Sequence, residues 1–200
     1  VLASGFLNPA NNSDGPAFGL WAALASGGAL VELPLLPNPT ARVQVIHNSA
    51  DAAASTVDVW LNDALLLDNF AFRTASPFVD APATIDFTVG IAPANSTSAS
   101  ESIATFTYNL DEGGTYIITA NGIVSGSGYN PPTPFDLYVK ADARETAAIA
   151  GNTDILVFHG CTDAPTVDVA EISVVNATLV DDISYGEYDG YLEVPTTDYV

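Results

Sequence analysis

The sequence predicts an all-β chain made of Ig-like antiparallel β-sandwich repeats. Three observations carry that prediction. Short segments rich in β-branched residues recur along the chain and alternate apolar with polar positions. Turn-forming residues separate them, and amphipathic helical periodicity is nearly absent. Two stretches of the chain also occur twice.

In chain order, "RVQVIH" (Arg42–His47) and "TVDVWL" (Thr56–Leu61) read as strands flanking a turn. "TIDFTVGI" (Thr84–Ile91) alternates as a half-buried strand should. "SIATFTYNL" (Ser102–Leu110), "TYIITANGIV" (Thr115–Val124) and "FDLYVKA" (Phe135–Ala141) continue the series. The segments "NSTSAS", "DEGG" and "SGSGYNPPTP" between them are loop chemistry. Only "ADARETAAIAG" (Ala141–Gly151) reads as a short helix.

The repetition sets the domain organisation. Segment 41–59 matches 153–169, with His47 opposite His159, Asp51 opposite Asp163 and Asp58 opposite Asp168. The match continues, placing Phe70, Phe72, Phe78 and Pro82 opposite Ile183, Tyr185, Tyr191 and Pro195. A second match aligns Val1–Ala22 with Ile118–Val139 without a gap, so Gly5 meets Gly122 and Phe18 meets Phe135. Residues 41–148 then form one complete repeat, and 149–200 open a second. Residues 1–40 correspond to the closing part of a repeat. Together the two partial modules lack about thirty residues of a full one. Each leaves an apolar face and open strand edges, and neither is expected to be stable alone.

Composition excludes several classes of function. Twenty-four Asp and Glu stand against four Lys and Arg, a net charge of −20. Such a chain does not bind nucleic acid, which requires cations to displace phosphate counterions. It does not favour an anionic membrane surface either. Acidity suits salty or cation-rich surroundings, with calcium as one partner to consider. With one cysteine, Cys161, no disulfide forms within the chain. The start at Val1, in a chain without methionine, reads as processed or cropped, and no signal-peptide pattern is present. The longest uncharged run, Gly15–Val31, is broken by Pro16 and glycines and makes a poor membrane span.

"RVQVIHNSADAAASTVDVWLN" and "ILVFHGCTDAPTVDVAE" resemble the opening motif of domain of unknown function 4397: a strand, then His-x-Ser-x-Asp-Ala, then Val-Asp-Val. The positions that carry the resemblance are His47, Ser49, Asp51, Val57 and Asp58, then His159, Asp163, Val167 and Asp168. The second copy departs in having Cys161 in place of Ser. "NGIVSGSGYNPPTPFDLYV" resembles the later part of such domains. The resemblance implies tandem β-sandwich modules in secreted or surface-anchored bacterial and archaeal proteins, with no general catalytic activity.

The motif admits two readings. His47 with Asp51 and Asp58 has the residue types of a divalent-metal or acid–base cluster. Alternatively these side chains brace the backbone of the "SADA" turn, as buried polar groups usually do. The bracing reading is preferred, because no nucleophile or third ligand type stands beside the motif except Ser49, which becomes Cys161. Cys161 and His159 share a strand face, yet no oxyanion-hole loop follows, so a packed thiol is expected. "GSGYNPP" has no Lys and is no phosphate loop. "NNS", "NST" and "NAT" offer Asn11, Asn95 and Asn176 as glycosylation acceptors. Tyr185, Tyr188, Tyr191 and Tyr199 could stack on sugars, although Tyr185 and Tyr191 match core aromatics of the first copy.

The leading functional expectation is therefore a non-enzymatic subunit of an extracellular filament or surface fibre. Its copies would join head to tail by strand complementation between residues 1–40 and 149–200. The alternatives are a segment of a tandem-repeat adhesin stalk, or a carbohydrate- or calcium-binding module of a secreted protein. No catalytic residue, cofactor or membrane span is expected. The partners are a second copy of the chain and, in the alternative, glycans or surface components.

Overall fold

Strands supply nearly all the regular structure of the computed structural model, which describes residues 1–34 and 36–199. Among these residues the only helical segments are three single 3-10 turns, at Pro9–Asn11, Ala52–Ala54 and Ala99–Glu101. The chain forms two compact units, Val1–Asn38 and Pro39–Val200.

In the first unit, β1 (Leu2–Ser4), β2 (Gly19–Ala22) and β3 (Val31–Glu32) make an antiparallel three-stranded sheet in that order. The sheet is small and holds its apolar residues badly: Leu2, Phe6 and Phe18 are all more than 40 % exposed.

The second unit begins with nine strands: β4 (Thr40–His47), β5 (Thr56–Leu61), β6 (Ala64–Ala71), β7 (Thr74–Ala75), β8 (Val79–Pro82), β9 (Phe87–Pro93), β10 (Ala104–Tyr108), β11 (Thr115–Asn121) and β12 (Asp136–Ala141). One sheet runs β10-β9-β5-β6 and is antiparallel throughout. The other runs β12-β11-β4-β7, with β8 also paired to β4. It is mixed, because β11 and β4 lie parallel. In β4 the side chains alternate as a pleat requires: Ala41, Val43, Val45 and His47 are buried, and Arg42, Gln44 and Ile46 are half-buried. Both sheets feed one core, with Val43, Val45, Ile118 and Leu137 from one and Val57, Val59, Phe87, Val89 and Ile91 from the other. Burying such side chains stabilises a fold by roughly 1.5–3 kcal/mol each.

Four strands follow: β13 (Asn152–Phe158), β14 (Val167–Glu171), β15 (Ala177–Ile183) and β16 (Tyr188–Pro195). They make two separate antiparallel pairs, β13-β16 and β14-β15. Their registers repeat those of the first copy. Thr40↔Pro82 and Val43↔Val79 in β4-β8 become Asn152↔Pro195 and Ile155↔Leu192 in β13-β16. Val57↔Phe70, Val59↔Leu67 and Trp60↔Leu65, with two irregular steps, become Val167↔Ile183, Val169↔Val180 and Ala170↔Thr178 with irregularities at the same places. The first unit repeats the end of the module in the same way. Ala120↔Leu137 in β11-β12 becomes Ala3↔Leu20 in β1-β2, and the bridge Ile123↔Pro134 becomes Phe6↔Ala17.

Two expectations from sequence are corrected. Residues 141–151 form no helix. Asp142 takes φ +53°, and the amides that a helix would use are bonded elsewhere: Ala143 to Thr115, Arg144 to Tyr191 and Ile149 to Glu193. The strand expected from Thr84 begins only at Phe87, because Thr84 sits at φ +62° with its amide donated to Leu110. Strands β6 and β8 carry no clear alternation and come out of the pairing alone.

Gly122 and Gly5 share one demand. Their φ values are +95° and +92°, and an added Cβ would lie 2.2 Å from Pro134 O in one and 2.1 Å from Ala17 O in the other. Gly122→Ala is therefore expected to destabilise the chain by about 2–4 kcal/mol. Gly113→Ala, at φ +73° in open space, should cost only about 1 kcal/mol. Denaturant midpoints of the two variants check the contrast.

Candidate functional site: a polar bracket in two copies

The first repeat turns its His–Asp motif inward. His47 ends β4 with 1 % of its surface exposed. Ser49 N donates to its Nδ1 at 3.3 Å, so the ring proton sits on Nε2 and donates to Ala54 O at 2.6 Å. Burial holds the imidazole below its ordinary pKa, which keeps it neutral near pH 7. Its ring lies against Phe70 and Phe72, at centroid distances of 5.9 and 6.2 Å.

Ser49 and Asp51 reach across to the far end of the module. Ser49 Oγ donates to Gly122 O at 2.6 Å. Asp51 Oδ2 accepts from Val124 N at 3.0 Å and Ser125 N at 2.7 Å. Its Oδ1 accepts from Ala53 N, Ser125 Oγ and Tyr129 OH, each at 2.9 Å. Burial favours the neutral acid, but these donations outweigh it and hold Asp51 at about 2. Asp58 works inside the other sheet: Oδ1 accepts from Asn69 N, and Oδ2 accepts from the amide and hydroxyl of Ser96. Ser96 Oγ also receives Trp60 Nε1–H at 2.9 Å. All these carboxylate oxygens are filled by donors from the chain itself. The arrangement is suited to fixing loops.

The second repeat has the same residues with fewer partners. His159 is buried, and its Nε2 lies 2.9 Å from Pro165 O, as His47 lies on Ala54. Asp168 Oδ1 accepts from Asp182 N at 2.9 Å, where Asp58 accepts from Asn69. The thiol expected to be packed is not: Cys161 and Asp163 are exposed and contact each other, Sγ donating to Oδ1 at 3.1 Å. Asp168, Asp181 and Asp182, all exposed, bring carboxylate oxygens within 4.8 Å of one another, and among the described residues they form the one acidic group close enough to share a cation. The charges of Asp168 and Asp182 raise the pKa of Asp181. Asn11, Asn95 and Asn176 are all exposed.

Tyr185 and Tyr188, weighed in the sequence as a sugar-stacking surface, pack against the neighbouring sheet instead. Tyr185 OH receives Asn121 Nδ2–H at 3.0 Å, and Tyr188 OH bonds Thr119 Oγ1 at 2.7 Å and Tyr138 O at 3.0 Å. Phe158 stacks between Tyr138 and Tyr188 at 5.4 and 4.6 Å. Asn121 Nδ2 also reaches Gly160 O, and its Oδ1 accepts from Asn48. These contacts join the second repeat to the outer face of β11 and β12, which explains why β11 is buried from Tyr116 to Asn121. Tyr191 OH accepts from Arg144 N, with the Arg144 guanidinium 5.0 Å above its ring. Sequence reasoning missed this joint and the buried Glu171, whose carboxylate collects the amides of Ser173, Val174, Val175 and Asn176. The available signal was the longer linker, since Glu171–Ala177 replaces the tight Leu61–Ala64 turn.

Fold and bracket together define a class, an all-β chain in which Ser49 and Asp51 of a His–Asp motif tie the loop after an opening strand to a closing segment. The chain belongs to the family described as domain of unknown function (DUF4397), whose model matches residues 41–170. No curated protein and no solved structure matches it.

Asp51→Ala should cost about 3 kcal/mol of stability, whereas Asp163→Ala in the dispersed chain should stay within about 0.5 kcal/mol. The pH dependence follows from the sign of the shift. A carboxyl at about 2 in the folded state and 3.8 as its ordinary value adds stability that is complete above about pH 4 and lost as pH falls through 2. That contribution is about 2.5 kcal/mol. Acid titration of the unfolding midpoint in wild type and Asp51→Ala checks it, and the difference between them should shrink below pH 4.

Proposed function

We propose that the chain is a non-enzymatic structural subunit of an extracellular filament or surface fibre. In this reading it is built of Ig-like sandwich repeats, and the open repeat at 149–200 is completed by residues 1–40 of a neighbouring copy. The observation that carries the reading is the matching of registers. Strands β13 to β16 reproduce the opening half of the complete repeat, and β1 with β2 reproduces its closing hairpin. Added strands would meet the end of β13, where Val1–Ser4 stand for Ile118–Asn121 of β11, with backbone hydrogen bonds, and would cover the apolar face beside it. Donor and acceptor lie on different parts of the chain, so the contact is heterologous and propagates into a fibre rather than closing.

A second reading is supported by the joint at Asn121, Tyr185 and Tyr188, where one repeat already stacks on the next within the chain. It makes the chain a stretch of a tandem-repeat stalk whose modules are completed along one polypeptide. Both readings place the protein outside the cell, and glycans at Asn11, Asn95 or Asn176 are compatible with either.

Electron microscopy of the full chain beside a variant lacking residues 1–40 separates them. Filaments are expected from the full chain and dispersed particles from the deletion. Dispersed particles from both would rule out self-assembly and leave the stalk reading.

A further inference from the structure

We infer that Cys161 and Asp163 are the receptor for the backbone of Gly5–Asn8 of a second copy, an inference that rests on the filament reading and names its recognition site. The complete repeat supplies the template. There Ser49 binds Gly122 O, and Asp51 binds the amides of Val124 and Ser125. In the alignment Cys161 and Asp163 stand for Ser49 and Asp51, and Gly5, Leu7 and Asn8 stand for Gly122, Val124 and Ser125. Ser49 and Asp51 are each 1 % exposed, whereas Cys161 and Asp163 lie open.

Cys161 lies in an apolar groove. Val157, His159, Cys161, Val167, Val169 and Ile183 line it. His159 and Ile183 are already buried there, whereas Val157, Val167 and Val169 are half-buried and Cys161 is exposed; the counterparts Val45, His47, Ser49, Val57, Val59 and Phe70 are all buried in the first repeat.

The donor segment is already shaped for this position. Gly5 has the left-handed backbone of Gly122. Phe6 N donates to Pro16 O and Phe18 N to Phe6 O, as Ile123 N donates to Thr133 O and Phe135 N to Ile123 O. Little ordering entropy is therefore lost on docking. Phe6 is 42 % exposed, but its counterpart Ile123 is 7 % exposed inside the module. Charge points to the same occupant. In a chain of net charge −20, residues 1–31 carry a single charged side chain, Asp14, so this segment approaches another copy with little repulsion. On docking, the thiol turns from Asp163 to Gly5 O, which frees the carboxylate to accept from Leu7 and Asn8 amides. Register is thus fixed by the bracket that closes the first repeat.

The test follows thiol modification of the full-length chain before and after assembly, with Asp163→Ala alongside. Assembly should slow the reaction of Cys161 by about 100-fold or more, because the thiol becomes buried. Asp163→Ala should raise the concentration needed for assembly by about 10-fold or more, since two charge-assisted hydrogen bonds are lost. Thermal melting confirms that the variant is folded, and the thiol measurement needs no variant at all. Filaments in which Cys161 reacts at the dispersed rate, or an Asp163→Ala chain that assembles like wild type, would overturn this receptor while leaving the filament reading standing. A chain that stays dispersed at every concentration would overturn both.

Discussion

The carboxylate of Asp51 sits where two distant parts of the chain must meet. It lies in the loop after the first strand of the repeat, yet four of its five donors come from Val124, Ser125 and Tyr129, more than 70 residues further on. A buried carboxylate is tolerated only when its oxygens are filled, so this one enforces the return of the closing segment to the opening loop. The parallel pairing of β4 with β11 depends on the same return, and so does the shared core of the two sheets. Ser49 and the left-handed Gly122 add a second tie at the same place.

In residues 149–200 only the local part of the bracket is formed. Local contacts survive: His159 still caps its loop through Pro165, and Asp168 still holds the amide of Asp182. The long-range ones do not form, and Cys161 and Asp163 face each other at the surface. What steadies this repeat is its neighbour, through the tyrosines on β11 and β12 and the Arg144–Asp154 pair at 3.3 Å. Scarce cations are used at such junctions. Arg42 binds Glu145, Asp80 and the carbonyl of Phe78 together, which draws the segment after β12 back to β4. In so acidic a chain these pairs also relieve local repulsion, although exposed pairs contribute little each.

Much of this was legible in the sequence because repetition is informative at the level of register. Once His47 is set against His159 and Gly5 against Gly122, the strand pairings of both partial copies follow from those of the complete one. The alternation of β4 and the β-branched run of β5 were readable for the same reason, since each buries a regular set of positions. The segment 141–151 misled because helix propensity is a weak prior, and three of its amides are claimed by Thr115, Tyr191 and Glu193, which no local pattern reveals. The joint was hidden for a similar reason. Tyr185 and Tyr188 resemble either core or exposed aromatics until the partner sheet is in place. Asp51 was visible as a motif residue, but its partners were not, because a hydrogen bond across 73 residues leaves no spacing signature.

The central proposal is that the open strands of residues 149–200 are completed by residues 1–40 of another copy. Hydrogen exchange along β13, compared with β4 in the same molecules, tests it most directly. The account predicts that the amides at the end of β13 and just after it, at Phe158 and Gly160, which Val1–Ser4 would face by analogy with β11 on β4, exchange freely in the dispersed chain and slow by about 100-fold or more on assembly. Those of β4, already flanked by β11 and β8, should be slow in both states. Equal protection of β13 and β4 in the dispersed chain, or no change in β13 on assembly, would contradict it.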